Sequence, residues 1–133
     1  MPPPTRREQR ERVLGLLYEA DAKGIPAAQV VAELPVAPDD FVVDLVQGVD
    51  GRVEEVDELI AGSAIDWALD RMPVIDRTLL RIATFELLAR PEVPTGAVIS
   101  EAVELAKQYS TDESGRFVNG VLASIALRVR PGG

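Results

Sequence analysis

The chain has 133 residues, of which 47% are hydrophobic and 5% aromatic, and its formal net charge at pH 7 is −8. It contains neither cysteine nor histidine, which excludes disulfides, a cysteine nucleophile, a histidine general base and a Cys/His zinc site. The length suits one domain with its own core, and aliphatic side chains must fill most of that core because aromatics are scarce.

Sequence motifs of enzymes and of membrane or secreted proteins are absent. There is no GxxxxGK(S/T) phosphate loop and no GxGxxG turn after a strand. No apolar run approaches the ~20 residues needed to cross a bilayer, and the basic start MPPPTRREQRER is not followed by the apolar core of a secretory signal. These observations predict a cytoplasmic protein that is not an enzyme and that carries no cofactor and no metal.

The negative charge is concentrated in one segment. Eight carboxylates and a single arginine, Arg52, lie between Asp39 and Glu58, so the rest of the chain is close to neutral. A nucleic-acid partner is therefore not excluded, because local patches decide such binding more than the net charge does. The acidic segment itself predicts a solvated helix surface, with a partner-facing surface as the alternative.

The first helix is predicted to run from Thr5, a good N-cap, to about Lys23, before a stop at Gly24. The residues before it, 1–4, are expected to form a disordered leader. The second half of this helix has a core-like spacing of apolar residues: Val13, Leu14, Leu16, Leu17 and Ala20.

Three arginines, Arg6, Arg7 and Arg10, share one face of that first helix because they are three or four positions apart. Cations at a helix N-terminus oppose the helix dipole, so an external anion such as phosphate is one explanation for them. The alternative is a solvated helix start held by ion pairs, including one between Arg7 and Glu11.

Two more helices are predicted before residue 62. A short one opens at Ile25-Pro26 and ends near residue 34. A long one begins at Asp39 or Asp40 and continues to about Ile60, with glycines that allow a bend or a close crossing. Its apolar residues recur every three or four positions: Phe41, Val42, Leu45, Val46, Val49, Val53, Val56 and Ile60.

The next segment predicts a short helix and then a central one. The short helix contains Ile65, Trp67 and Leu69, and the tryptophan is expected to be a wedge in the core. The central helix runs from Pro73 to about Ala89 and has apolar residues on most of its surface. Within it, Glu86 is expected to form an ion pair with Arg90, four residues later.

The stretch from Ala97 to Ala126 predicts two amphipathic helices clasped around the polar loop STDESG. Ser114 is the expected N-cap of the second helix. Gly120 lies inside the unbroken helical period of that helix, where glycine costs helix propensity, which predicts a close approach by another helix. The tail, residues 129–133, is expected to be frayed.

The predicted fold class is therefore all-α, with about seven helices in two packed three-helix-type bundles that form one globule. The expected domain organisation is a single domain, with an N-terminal helical subdomain at residues 5–62 and a C-terminal one at residues 63–128.

Four segments of the chain resemble the NusB family of transcription antitermination factors. In order, they are the Arg-rich first helix ending in LLYEAD, DDFVVDLVQGV, MPVIDRTLLRIATFELL, and VPTGAVISEAVELAKQYSTDESGRFVNGVL. The resemblance implies an all-helical protein of two perpendicular bundles that binds single-stranded boxA RNA of ribosomal RNA leader transcripts. It implies the ribosomal protein NusE as partner, and assembly with other Nus factors on RNA polymerase. Some family members self-associate, so a homodimer is also possible.

The resemblance also implies site residues. Arg6, Arg7 and Arg10 would contact RNA, with Tyr18, Lys107 and Phe117 on or near the same surface and Asp112-Glu113 in the loop beside it. Asp76 and Glu86 would lie on the partner-binding side. Burial in the core is the alternative for Phe117. Glu8 and Gln9 interrupt a run that is often more basic in the family, and Gly96 replaces a larger residue that is common there.

Two further hypotheses remain beside RNA binding with NusE. The chain is either a protein-binding adaptor or homodimer without direct RNA readout, or the RNA-targeting helical domain that is fused to some RNA cytosine methyltransferases. The latter requires a following cofactor-binding domain, and the sequence ends at Gly133.

Overall fold

The helices are described from a computed structural model that covers residues 2–132, so that Met1 of the expected leader and Gly133 of the expected tail lie outside it. Within this range there are seven α-helices, one 3-10 turn at Leu69–Arg71 and no strand. The α-helices are α1 (Arg6–Lys23), α2 (Ala27–Ala32), α3 (Asp40–Gly51), α4 (Val53–Ser63), α5 (Val74–Ala89), α6 (Thr95–Tyr109) and α7 (Asp112–Val129). The all-α prediction is confirmed. No helix in the described range is long and apolar enough to span a membrane.

Both ends of α1 follow from local sequence. The Thr5 hydroxyl accepts the backbone N–H of Glu8, whose carboxylate accepts the N–H of Thr5 in return. Gly24 ends the helix at φ +66°, a left-handed conformation that costs little only for glycine. The predicted bounds of the first helix are confirmed.

The central element is α5, which packs against α1, α3, α4, α6 and α7. Its Leu79, Leu80 and Ala83 side chains are almost completely buried, as expected for a helix with apolar residues on most faces. The helices α1, α2 and α3 also pack on one another, as do α6 and α7. Since α4 contacts both α3 and the pair α5 and α7, the subdomain boundary at residues 62 and 63 stays a prediction.

The long helix predicted from residue 39 to residue 60 is in fact two helices, separated at Arg52. The break has φ −125° and ψ 23° at Arg52, directly after Gly51. Gly48, one turn earlier, lies against the Phe85 ring of α5, and a Cβ atom there would clash with the ring. Gly48 therefore allows α3 to approach α5, and Gly51 directly precedes the change of direction between α3 and α4.

Several carboxylates of the acidic segment hold the fold together. Asp50 accepts the backbone N–H groups of Ala27 and Ala28, at the start of α2, where no side-chain cap comes from the preceding Pro26. Asp57 accepts two hydrogen bonds from Arg81 on α5, at 2.8 and 2.9 Å. The segment is thus not only a solvated surface.

The short helix expected around Ile65 and Trp67 does not form. Only the 3-10 turn at Leu69–Arg71 is helical there, and Ile65 and Trp67 are 89% and 51% exposed. The prediction of Trp67 as a core wedge is wrong.

The start of α7 also differs from the expectation. Thr111, not Ser114, is the N-cap, and its hydroxyl accepts the backbone N–H of Ser114. Gly120 has no neighbour close to its missing side chain, so the expected close approach there is wrong. The close approach is at Gly115, where a Cβ atom would lie 2.9 Å from Cγ of Lys107 on α6.

The expected fraying of the tail is wrong at Arg130. Its guanidinium donates to the backbone carbonyls of Glu86, Leu87 and Arg90, at 2.7 to 3.2 Å. These carbonyls lie at the C-terminal end of α5, where backbone carbonyls run out of partners within the helix; the Glu86 carbonyl also accepts the backbone N–H of Arg90. Arg130 therefore caps α5 from the end of α7.

Candidate nucleic-acid interface

The three arginines of α1 each have a different partner within the fold. The guanidinium of Arg6 donates to the side-chain oxygen of Gln9 at 2.7 Å, and its carbon lies 4.1 Å from the centre of the Phe41 ring. Arg6 is still exposed to solvent on its outer side. It can contact a ligand without leaving this stacked position.

Arg7 connects α1 to α6. Its Nε donates to the Glu101 carboxylate at 2.6 Å, in place of the expected ion pair with Glu11. Glu11 instead accepts the hydroxyl of Tyr109, at the end of α6. We call these two contacts the α1–α6 seam. Arg7 keeps 45% of its side chain exposed, so the seam does not remove it from the surface.

Arg10 is in the interior. Its guanidinium donates two hydrogen bonds to the carboxylate of Glu86, at 2.9 and 2.7 Å, and the two side chains are only 7% and 1% exposed. Burial acts to lower the pKa of Arg10, but the hydrogen bond and charge of Glu86 outweigh it and raise that pKa. Arg10 therefore stays charged and paired.

The buried pair keeps two predicted site residues away from the surface, so the contacts of Arg10 with RNA and of Glu86 with a protein partner stay predictions. Neither side chain can reach a ligand while the buried pair is formed. The expected ion pair between Glu86 and Arg90 is wrong, because the Glu86 carboxylate pairs with Arg10. The guanidinium carbon of Arg90 lies 5.3 Å from the centre of the Phe85 ring instead. The buried pair joins α1 to α5 and positions the two outer arginines indirectly.

Tyr18 is 47% exposed and lies on the same side of α1 as Arg7, eleven residues away. At a rise of 1.5 Å per residue, the separation along the helix is roughly 16 Å. The predicted RNA contacts on α1 are therefore spread along one side of the helix and do not form a compact cluster.

Lys107 and Phe117 flank the start of α7. The stem of Lys107 packs on Gly115, and its ammonium is 3.9 Å from the Glu104 carboxylate with 46% of the side chain exposed. Phe117 is half-buried, and its ring meets the ring of Trp67 edge to face, with centroids 6.2 Å apart. Phe117 is thus neither fully exposed nor fully buried in the core, which was the alternative for this residue.

An open cavity of about 520 Å³ lies beside these aromatic rings. Trp67, Arg116 and Phe117 form part of its wall, and none of the ion pairs within residues 2–132 involves Arg116. We call the group of Trp67, Arg116 and Phe117 the α7 corner. It combines two aromatic rings with one cation at the surface, and Lys107 of α6 packs nearby on Gly115 of α7.

Asp76 lies deeper in the same cavity. It is 3% exposed, and its Oδ1 has no hydrogen-bond partner. Burial raises the pKa of the Asp76 carboxyl, and the hydroxyls of Ser114 and Ser110 offset part of this increase. A group can contact Asp76 only by entering the cavity, so its assignment to the partner-binding side stays a prediction.

We expect Asp76→Asn to make the folded protein more stable at neutral pH. A carboxyl whose pKa is raised by folding binds more protons in the folded state, so stability falls as the pH rises from the unfolded pKa through the folded one. Thermal unfolding at several pH values measures this effect. The melting temperature of the variant should rise relative to that of the parent as the pH increases from the unfolded pKa of Asp76 to its folded pKa. Asp112→Asn is the control, since Asp112 is exposed. Equal gains for both variants would contradict the expectation.

Sequence reasoning missed part of this site. Arg116 and Ser110 are not among the residues that the sequence singles out, Ser114 is predicted only as an N-cap, and Trp67 is predicted in the core. The available signal was the position of Trp67 in a connector without helical periodicity, just before Pro73. The described residues contain no cluster of acidic side chains placed to hold a metal ion.

The chain is similar to known proteins over nearly its whole length. Residues 7–127 match the model of the NusB family. The transcription antitermination protein NusB of Salinispora tropica is 50% identical over 131 residues, covering 92% of this chain and 96% of the relative. The solved structure of T. maritima NusB matches with a TM-score of 0.87 at 34% identity, covering 98% of this chain and 96% of that one. A crystal structure of antitermination factors NusB and NusE in complex with dsRNA has a TM-score of 0.79 at 28% identity, covering 92% of this chain and 96% of that one.

Proposed function

Because this chain belongs to the NusB family and is therefore a transcription antitermination factor, not an enzyme, we propose that it binds single-stranded boxA RNA of ribosomal RNA leader transcripts together with the ribosomal protein NusE. In this role it suppresses premature termination in the cytoplasm. Other Nus factors and RNA polymerase join the complex indirectly.

The observation that carries the proposal is the α7 corner. Its aromatic rings, Phe117 and Trp67, are partly exposed and line the same cavity as the guanidinium of Arg116. Unpaired bases can stack on such rings, while the phosphates between them meet lysine and arginine. Bases inside a duplex are already stacked and cannot do this. The similarity to a NusB and NusE complex with dsRNA supports RNA and NusE as partners.

The arginines of α1 explain why a partner is needed. Arg10 is buried with Glu86, and Arg7 is paired with Glu101, so few cations of α1 are available to phosphate. We therefore propose that Arg6, Arg7 and Tyr18 make peripheral contacts, and that NusE supplies further binding surface. RNA affinity of the chain alone is then weak and rises when NusE is added.

We expect Lys107→Ala to weaken binding of boxA RNA to the complex with NusE and to reduce its salt dependence. Each phosphate neutralised on a single strand contributes ~0.7 to the slope of log K against log salt, so losing one contact lowers the slope by about that amount. Fluorescence anisotropy with labelled RNA measures both quantities. Lys23→Ala is the matched control, because Lys23 is also paired with a nearby glutamate but lies at the far end of α1.

The same titration, together with a mass from light scattering, separates three hypotheses. Binding that prefers boxA over scrambled RNA and strengthens with NusE supports the proposal. Stable association with NusE without any RNA preference would instead assign the chain to the adaptors. A mass of two chains by light scattering, with RNA binding lost in the dimer, would indicate that self-association covers the site.

A further inference from the structure

Arg6 differs from the other two arginines of the α1 face because its partner is uncharged. Arg7 and Arg10 each donate to a carboxylate, which balances their charge within the fold. Arg6 takes part in none of the ion pairs within residues 2–132. Its guanidinium donates instead to the side-chain carbonyl oxygen of Gln9, at 2.7 Å. Arg6 therefore keeps an unbalanced positive charge at an exposed position.

Gln9 is held at both ends of its side-chain amide. The residue is only 9% exposed, its Oε1 accepts from Arg6, and its Nε2 donates to the Asp39 carboxylate at 3.1 Å. Asp39 determines which end of the amide faces Arg6, because an ionised carboxylate accepts only from the NH₂ end. In the sequence Gln9 interrupts a basic run, and in the fold it is a fixed hydrogen-bond acceptor for the arginine beside it.

The Phe41 ring of α3 supports the same guanidinium. The guanidinium carbon of Arg6 lies 4.1 Å from the centre of that ring. A long side chain that moves freely in solvent loses conformational entropy when it is fixed by a ligand. The hydrogen bond to Gln9 and the contact with Phe41 restrict Arg6 before any ligand arrives. The bond to Gln9 uses one of the five N–H donors of a guanidinium, which leaves others for an anion.

We infer that Gln9 is a positioning residue for RNA binding, which holds Arg6 in place for a phosphate of the strand without neutralising its charge. This inference rests on the proposed binding of single-stranded RNA and names the α1 arginine that contributes most to it. A glutamate at position 9 would hold Arg6 but compete with the phosphate, as Glu101 does at Arg7. A lysine or arginine at position 9 would repel Arg6. A neutral amide avoids both effects.

The first experiment compares Gln9→Met with Gln29→Met. Methionine is similar to glutamine in size, so Gln9→Met retains the buried volume but removes both hydrogen bonds. Gln29 is exposed on α2, where its amide donates to Glu33. In the presence of NusE, fluorescence anisotropy should show Gln9→Met binding boxA RNA about threefold to tenfold more weakly than the parent, which is the cost of fixing one long side chain on binding. Gln29→Met should bind as the parent does.

A double-mutant cycle separates positioning from a general loss of stability. In a chain that already carries Arg6→Ala, Gln9→Met should weaken RNA binding no further, because the guanidinium that it positions is gone. A residue that acted only through the stability of the fold would weaken binding equally in both backgrounds.

A second variant changes the charge of the partner of Arg6 but not the net charge of the chain. Gln9→Glu with Asp39→Asn exchanges the acid and the amide, so an amide N–H can still donate to a carboxylate between these two positions. Arg6 then faces a carboxylate. We expect the slope of log K against log salt to fall by about 0.7, the contribution of one phosphate on a single strand. Thermal unfolding verifies that the variant is folded.

Other results would overturn the inference in distinguishable ways. RNA affinity that is unchanged in Gln9→Met, or an equal loss with and without Arg6→Ala, would remove the positioning role while leaving RNA binding intact. An unchanged salt slope after the exchange would show that the neutral partner is irrelevant. Weaker NusE binding in Gln9→Met, with unchanged RNA affinity of the formed complex, would assign Arg6 to an acidic group of the protein partner. No binding of boxA RNA by the parent with NusE would overturn the proposed function itself, and this inference with it.

Discussion

Replacing Arg10 with alanine is expected to lower the free energy of unfolding by about 3–5 kcal/mol, because it leaves the carboxylate of Glu86 buried without its partner. Urea denaturation measures the loss. Arg7→Ala is the matched control, since it removes an arginine of the same helix whose pair with Glu101 is exposed to solvent, and we expect little change there.

A double variant separates the pair from the charge it leaves behind. Arg10→Met with Glu86→Leu removes both charges and should recover most of the stability lost by Arg10→Ala, because apolar side chains of similar volume can replace a buried ion pair. If Arg10→Ala loses no more stability than Arg7→Ala, the buried pair is not formed in solution. If the folded double variant lost RNA binding completely, that result would indicate that Arg10 contacts RNA directly.

The second large effect is expected at Phe117. Phe117→Ala should weaken binding of single-stranded boxA RNA to the chain with NusE by about 1–3 kcal/mol, the contribution of one stacked base. Fluorescence anisotropy at fixed salt measures the change. The half-buried position of Phe117 at the cavity wall is the reason for this expectation.

The control for Phe117 is another apolar residue of α7. Leu127 is 78% exposed near the far end of the helix, so Leu127→Ala removes apolar surface without touching the corner. Phe117→Trp should retain affinity because it keeps an aromatic face. Equal losses in Phe117→Ala and Leu127→Ala, or no loss in either, would contradict the role of the α7 corner.

Features set by local sequence were predicted well. The bounds of α1 depend on Thr5, Glu8 and Gly24, which act within one turn of the helix ends. The central position of α5 follows from its apolar residues, because a helix with few polar positions must be surrounded. Neither conclusion needs any knowledge of which helices cross.

Features set by contacts between distant residues were not predicted. Arg10 and Glu86 are 76 positions apart, and the sequence offered Arg90 as a nearer partner for the same carboxylate. A spacing of four residues makes a pair possible, but burial of both charges at a helix crossing decides which pair forms. The glycine at the close helix contact is Gly115 and not the predicted Gly120, for the same reason. Only the packing of α6 against α7 shows that Lys107 lies against Gly115 and that no side chain lies near Gly120.

The site residues illustrate both cases. The resemblance to the NusB family predicts Phe117 and Lys107 as site residues; Phe117 is half-buried in the second turn of α7, and Lys107 lies near the end of α6 against Gly115. It also indicated Arg10, a charged residue whose burial no periodicity reveals. The cavity itself was not foreseen, because it forms where a connector, α5 and the start of α7 meet.

The most direct test of RNA binding at the α7 corner uses Trp67, the only tryptophan of the chain, whose ring is 6.2 Å from that of Phe117. Single-stranded boxA RNA is titrated into the chain with a tryptophan-free NusE, while Trp67 emission and the anisotropy of the labelled RNA are followed together. We predict that the emission changes with the same midpoint as the anisotropy, and that Phe117→Ala moves both midpoints to higher RNA concentration. RNA that binds by anisotropy while Trp67 emission stays constant would contradict the account, because the strand would then be held elsewhere.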